Sequence, residues 1–386
     1  MKHRGSLMIG ILALTIVLFI PSPGFATGQG EQQVSVSETV TVTDLAGREV
    51  TLKYPVERIV LVRSRDIYGI SAVLGEATAE KIAAWGPDIK TADKDAYEKY
   101  LEHFPSLGQL PWLGDIFKDA LSTEQIIALD PDVVIVETFM SERGYESIDR
   151  LEQAGVPLLF LDFSRRPFEA PQESILLIGK ITGQNTRAEQ IVAYVNEQIE
   201  LVFNRLKNSQ EPKPTVYLEA GNLGPKEYSV TYGYNKKQTM SSWGAMLQAT
   251  GADNIAGEAV VNMAVINPEY LLEANPDRIV ITGAYWPAEG AMRMGYYAEP
   301  VEAKRHLRAF CERPGWQDLD AVKNNQVYSL FHGFTMHIFS FVGLQQMVKW
   351  LYPESFQDID PEENFREFHR RFMPIEYSGT WMIAID

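Results

Sequence analysis

Between Thr186 and Asn208 the chain carries a helix pattern that fixes what the rest can become. Ile191, Val195, Ile199, Val202 and Leu206 recur at spacings of four and three, so they form one apolar stripe. Thr186 with Glu189 three residues on fits a capping box, with Thr186 as N-cap. The pattern stops before Pro212, giving a helix of about 21 residues and roughly 30 Å. That length can cross from one small domain to another. A floppy linker would be rich in Gly and Ser, and this segment is not. The expected organisation is an N-terminal lobe over 38–182, a connecting helix over 183–210 and a C-terminal lobe over 211–386.

Both flanks of the helix are written in the same way. "TVTDLAGREVTL" alternates about a Gly-containing turn and predicts a hairpin. "ERIVLV" is a continuous apolar run of the kind buried in a parallel sheet. Helical "DIYGISAVLG", "DAYEKYLEHF" and "SIDRLEQAG" then alternate with strand-like "KIAAWG", "DVVIVE" and "VPLLFLD". After Pro212 and Pro214 the order resumes with strands "TVYLEAG", "DRIVITG" and "QVYSL" and helices "SSWGAMLQATG" and "VEAKRHLRAFCE". Such alternation predicts α/β architecture: two doubly wound lobes with mostly parallel sheets, joined by one long rigid helix.

One phrase occurs in each half. "LSTEQIIALDPDVVIVE" (Leu121–Glu137) and "INPEYLLEANPDRIVITG" (Ile266–Gly283) share a cap, a glutamate, an apolar stripe, Pro-Asp and a strand. Ser122, with Gln125 three residues on, is the expected first cap. Asn267 is the second, followed by Pro268 at the first helical position, where its missing N–H costs nothing. Both registers put the glutamate, Glu124 or Glu269, at the second helical position, exposed on the first turn. A carboxylate there gains a few tenths of a kcal/mol from the helix dipole. Two in matching positions of two lobes point to a shared external task.

The N-terminus predicts export. Lys2 and Arg4 precede an apolar stretch from Leu7 to Ile20, and Gly24-Phe25-Ala26 supplies a small-residue cleavage pattern, so residues 1–26 form a signal peptide. No cysteine stands near the cut to carry a lipid, which predicts a soluble periplasmic protein. The formal net charge is −16, and loss of Lys2 and Arg4 makes it more negative. That acidity argues against nucleic acid or anionic membrane as a partner. The single cysteine, Cys311, can form neither an internal disulfide nor an iron–sulfur cluster.

Taken in order, these segments resemble the solute-binding proteins of ABC importers for iron–siderophore complexes, cobalamin and haem. The resemblance rests on "TDLAGREVTL" followed by "ERIVLV", the two glutamate phrases, the Thr186–Asn208 helix and "RPGWQDLDAVKNNQVYSL" (Arg313–Leu330). It spans nearly all of the chain after the leader. "KWLYPESFQDIDP" and "FMPIEYSGTW" look like a subgroup that takes up iron complexes or other metal chelates. The resemblance implies a ligand cleft between the lobes and no catalytic residues. It also implies a monomer that meets an ABC permease dimer, with Glu124 and Glu269 docking into arginine pockets on the two permease subunits.

Ligands of open α/β sheets sit beyond the carboxyl ends of the strands. Candidate contacts there are Arg63, Arg65 and Tyr68 after "ERIVLV", and Trp85 after "KIAA". In the second half they are Tyr228 and Tyr232, then Trp286, Arg293 and Tyr296 after "RIVITG", and His332 and His337 after "QVYSL". Arginines beside aromatic rings suit an anionic, partly apolar chelate, with iron the expected metal. No H-E-x-x-H or C-x-x-C pattern predicts a closed protein-only metal cage, and no intrinsic cofactor is expected. His332 or His337 could still complete the coordination of a chelated metal. Siderophore, corrinoid, haem and small chelate remain open as cargo. A chelate-processing enzyme or a non-transporting receptor are the rival classes.

Overall fold

The N-terminal hairpin pairs β1 (Thr39–Thr43) with β2 (Glu49–Lys53) in the antiparallel register Thr39↔Lys53 to Thr43↔Glu49. Its turn is closed by Asp44, whose carboxylate accepts from the N–H groups of Ala46 (3.0 Å) and Arg48 (2.9 Å). Gly47 follows at φ +80°, a conformation that a side chain would oppose. In this computed structural model residues 38–233, 242–257, 260 and 263–386 are described. The leader expected at 1–26 lies outside them.

The first sheet contains β3 (Ile59–Leu61), β4 (Ile82–Trp85), β5 (Val133–Glu137) and β6 (Leu158–Leu161), all parallel, in the order β4-β3-β5-β6. Every residue of β3, β5 and β6 is buried. Apolar side chains on the two faces feed two separate core clusters, as continuous Val/Ile/Leu runs require when helices cover both sides. The strand order reverses between β3 and β5, so their carboxyl ends border the crevice where doubly wound sheets hold ligands.

The connecting helix runs from Asn185 to Leu206, 22 residues. Ile191, Val195, Ile199 and Val202 are buried as the stripe predicts, while Leu206 is only partly buried. The cap is a correction. Gln184 is the N-cap, Thr186 lies inside the first turn, and no side chain closes the cap. The chain enters from the helix Ala170–Thr182, absent from the sequence expectation, through Gly183 at φ +75°. After that tight entry Thr186 is already helical, whereas a capping box needs its own N-cap residue extended. The two helices meet at Gly179, where a Cβ would stand 2.4 Å from the Ala188 Cβ.

The second sheet contains β7 (Thr215–Ala220), β8 (Val230–Tyr232), β9 (Asp253–Asn254), β10 (Met263–Val265), β11 (Arg278–Gly283), β12 (Val327–Phe331) and β13 (Met382–Ala384). Its order is β10-β8-β7-β11-β12-β13, with β9 also on β7. The centre is parallel as expected, but β8 and β13 run against it, and β10 pairs antiparallel with β8. The link from β7 to β8 is too short for a helical crossover, so the strand turns back.

The lobes share one core around the connecting helix. Arg187 of that helix donates to Ala72 O in the first lobe (2.7 Å) and to Phe372 O in the second (2.9 Å). Tyr194 Oη donates to Asn364 O (2.8 Å), and Gln345 Nε2 donates to Gln198 Oε1 (2.9 Å). Gly179→Ala tests this packing, because an alanine inside a helix ordinarily adds about 0.5–1 kcal/mol. Here the extra methyl should instead destabilise by about 1–3 kcal/mol, lowering the urea midpoint at unchanged m-value.

Candidate functional site

β3 and β5 end on opposite charges. Two residues after β3, Arg63 begins a short 3-10 turn over Ser64–Asp66, and Glu137 is the last residue of β5. Arg63 Nη1 donates to Glu137 Oε1 at 2.6 Å and stands 3.2 Å from Asp66 Oδ1. Arg63 is 2% exposed and Glu137 and Asp66 are no more than 1% exposed, so this charge cluster lies out of water. Burial works against the guanidinium's charge, but Asp66, Glu137 and Asp88 outweigh it and hold Arg63 ionised. Burial pushes Asp66 well above the usual carboxylate range, against the pull of Arg63 and with help from Glu137 and Asp88. Both Asp66 oxygens lack a hydrogen-bond partner among the described residues. Burial raises Glu137 as well, against the pull of Arg63, so the two carboxyls compete for one guanidinium. Glu137 also accepts from the N–H of Phe163 (3.3 Å) and the hydroxyl of Ser164 (3.3 Å).

Arg65 is held differently. Asp88 accepts its Nε at 2.8 Å, together with the N–H and hydroxyl of Ser64 at 2.7 Å each. Burial opposes the charge of Asp88, yet Arg65, Arg63 and the Ser64 hydroxyl keep its pKa below the ordinary value. With Nε engaged, Nη1 and Nη2 of Arg65 have no hydrogen-bond partner among the described residues, and its side chain is 17% exposed. A guanidinium pinned along one edge presents the other as a fork for paired oxygens.

These arginines border a cavity of about 250 Å³ between the lobes. From the first lobe it is lined by Arg63, Arg65, Phe117, Phe139, Arg143, Ser164 and Arg165. The second contributes Tyr232, Ser242, Met263, His332 and Met336. Arg63 Nη2 reaches across to Met336 O at 3.5 Å. Arg143 donates to Tyr145 Oη (3.1 Å), and its guanidinium lies 5.3 Å from the Phe139 ring, which stacks on Phe117. Arg165 Nη2 pairs with Glu142 Oε2 at 2.6 Å. His332 Nδ1 stands 2.9 Å from Thr282 Oγ1, and burial with Arg65 nearby pushes its pKa down to about 3. The imidazole is thus neutral at ordinary pH.

Four of the candidate contacts, Arg63, Arg65, Tyr232 and His332, stand on the cavity wall. Trp286 meets His332 edge-on at 5.1 Å without lining the cavity. The structure takes the others elsewhere, which corrects the expectation for each. Tyr68 is buried and donates to Asp93 Oδ2 (2.8 Å), and His337 packs on its ring at 4.5 Å. Trp85 is buried against Trp112. Tyr296 is buried, with its hydroxyl 3.0 Å from His369 Nε2 and its ring on Trp381. Tyr228 accepts from Trp316 Nε1 (2.8 Å) beneath the Arg313 guanidinium. Arg293 is committed to Asp95.

Phe117, Phe139, Arg143, Ser164, Arg165, Ser242, Met263 and Met336 were not among the candidates. Arg143 and Arg165 had a signal available, since both follow strands, in "VVIVETFMSER" and "LLFLDFSRR". The strand-end rule that gave Arg63 applies equally to β5 and β6. Among the described residues no group of three His, Cys, Asp or Glu side chains could hold a metal ion.

The two phrase glutamates lie on short helices, Thr123–Ala128 and Pro268–Ala274, each at the second position and each exposed. Asn267 caps as expected, its Oδ1 accepting from Glu269 N–H at 2.8 Å. Ser122 is the N-cap residue, but its side chain makes no capping bond, which corrects the capping box with Gln125. Its backbone is fixed instead by donation of its N–H to Leu113 O (2.7 Å).

Comparison with known proteins sets this geometry in a family. Residues 72–331 match the family model described as "Periplasmic binding protein". The chain is similar to the TroA-like periplasmic binding protein FepB of Veillonella parvula, at 37% identity and TM-score 0.84, over 90% of this chain and 100% of that one. The molybdate-bound MolA of Haemophilus influenzae shares the fold at 19% identity and TM-score 0.67, over 88% and 99% of the two chains. YvrC of Bacillus subtilis, an uncharacterized ABC transporter substrate-binding lipoprotein, is 22% identical over 93% of this chain and 100% of its own length. No helix among the described residues is long and apolar enough to cross a membrane. With two α/β lobes, a cleft between them and these relatives, the chain belongs to the periplasmic binding protein family and is a substrate-binding protein of an ABC importer.

Proposed function

We propose that the cleft captures a compact anionic metal chelate, an iron–siderophore or similar iron complex, and that the protein delivers it to an ABC permease. The observation that carries this reading is the convergence of four arginines of one lobe on one cavity, with both terminal nitrogens of Arg65 unengaged. Arg65 supplies a fork for carboxylate or catecholate oxygens. Among the described residues Arg143 has no carboxylate partner, so it adds an uncompensated positive charge. Phe117, Phe139, Met263 and Met336 supply apolar surface for an organic skeleton. A bare oxyanion, the cargo named for MolA, suits this wall less well, because its oxygens would face the rings and thioethers unsatisfied. The leader ending at Ala26 supports export to the periplasm.

Titration of the purified protein with ferric chelates and with molybdate, followed by tryptophan fluorescence and calorimetry, tests the cargo. Arg65→Gln should weaken binding of a ferric chelate by roughly 10- to 100-fold, the worth of a hydrogen bond to a charged group, with little change in Tm. Equal affinity in the variant, or preference for a metal-free neutral ligand, overturns the reading.

Glu124 and Glu269 are the proposed docking points, one per lobe. Two exposed carboxylates on separate lobes form a two-point ruler, which sets orientation and on-rate more than affinity for cargo. The double reversal Glu124→Arg with Glu269→Arg should abolish uptake into vesicles carrying the cognate permease while cargo affinity stays unchanged. Uptake that survives both reversals removes the docking assignment.

A further inference from the structure

Among the candidate contacts, Arg293 is the arginine that does not line the cavity. It sits in the loop after β11, tied to its own lobe by donation of Met292 N–H to Gly221 O (2.9 Å) and of Gly295 N–H to Thr380 O (2.7 Å). Its partner belongs to the other lobe. Asp95 lies in the first turn of the helix Lys94–His103, which follows β4 in the first lobe. Arg293 Nη2 donates to Asp95 Oδ1 at 2.7 Å, and Nη1 stands 2.6 Å from Oδ2. Tyr297 N–H of the same loop approaches Oδ2 at 3.3 Å. The side chains are 17% and 3% exposed, so the pair is largely withdrawn from water. The Tyr285 ring lies between the cations of the two lobes, 4.6 Å from the Arg293 guanidinium and 5.2 Å from Lys94 Nζ.

We propose that Asp95 and Arg293 are positioning residues, a latch that holds the lobes at one spacing beside the cleft. Beside it the lobes also meet through rings, Tyr68 on Tyr296 and His337, with Lys99 over the Tyr297 ring at 5.9 Å. Ring contacts tolerate a range of offsets and tilts, whereas a charge-assisted bidentate pair is held to one distance and one orientation. Tyr285 also links the latch to the cargo site, because its neighbour Trp286 packs on the cavity-lining His332. The latch thereby fixes the cleft aperture. It also fixes the separation of Glu124 from Glu269, and only that last clause rests on the docking reading.

Spin–spin distances test the latch without cargo or permease. In a Cys311→Ser background, labels at Ile127→Cys and Tyr270→Cys, 44% and 48% exposed, span the lobes. A second pair at Ile127→Cys and Gln153→Cys reports on the first lobe alone. Arg293→Gln is the informative variant, since Asp95 keeps the Tyr297 N–H and the Gln amide can still donate to it. The expected result is a broader cross-lobe distribution with a new component, an unchanged intra-lobe distribution, and amide exchange at Tyr297 faster on the order of tenfold. Asp95→Asn should reproduce it from the other lobe. A cross-lobe distribution in Arg293→Gln that superimposes on the wild type overturns the latch. Loss of uptake without any change in distance would leave the docking reading standing and still remove the latch.

Discussion

The rest of the cleft depends on one buried guanidinium. Arg63 lies where the strand order of the first sheet reverses, and its charge is tolerable there only because Glu137 closes β5 beside it. Removing one partner of such a buried pair costs about 3–5 kcal/mol, because the other is left uncompensated. The pair therefore fixes the ends of β3 and β5 relative to each other. Through Phe163 and Ser164 it fixes the segment after β6 as well, and through Met336 O it touches the opposite lobe. Burial raises Asp66 beside the pair, against the pull of Arg63.

The second lobe repeats the device and spends it entirely on structure. Glu219, next to last in β7, is buried with Arg313. Arg313 gives Nη1 and Nη2 to that carboxylate at 2.7 and 3.0 Å. Its remaining capacity goes to Pro225 O, Gly224 O and Glu227 O. Phe310, Trp316 and Tyr228 surround the guanidinium, at 4.4 to 4.9 Å from their centroids. Nothing is left to offer a ligand. The contrast with Arg65, pinned only at Nε, separates an arginine that staples a loop from one that can bind.

The legible parts of the fold were those encoded locally. Period-two alternation gave the hairpin, apolar runs gave β3, β5, β6 and β11, and a spacing of three and four gave the buried stripe of the connecting helix. Caps at Thr186 and Ser122 failed because capping depends on how the chain arrives, which the preceding Gly183 and Leu113 decide. The site was harder to read for a different reason. A ring or an imidazole at a strand end serves equally in a cleft wall or in the core between lobes, and Tyr68, Tyr296 and His337 took the core. Arg293 could not be told from Arg65 without seeing Asp95, almost two hundred residues away in the chain and 2.7 Å away in space.

The distribution of charge supplies the last step. A chain with a formal net charge of −16 repels anions at long range, so its cationic cavity has to overcome that field locally. Low-dielectric walls make this feasible, because Phe117, Phe139 and Met336 around Arg65 and Arg143 weaken solvent screening where the cargo would sit. The same negative surface suits delivery, since a basic permease face would attract the loaded protein through the exposed carboxylates of both lobes. On the proposed function, opposite signs at the cleft and on the outer face would let one molecule hold an anion and still seek a cationic partner. That division survives only if the lobes keep their relative positions, which is why directional ties such as Arg63 to Met336 O and Arg187 to both lobes accompany the shared apolar core.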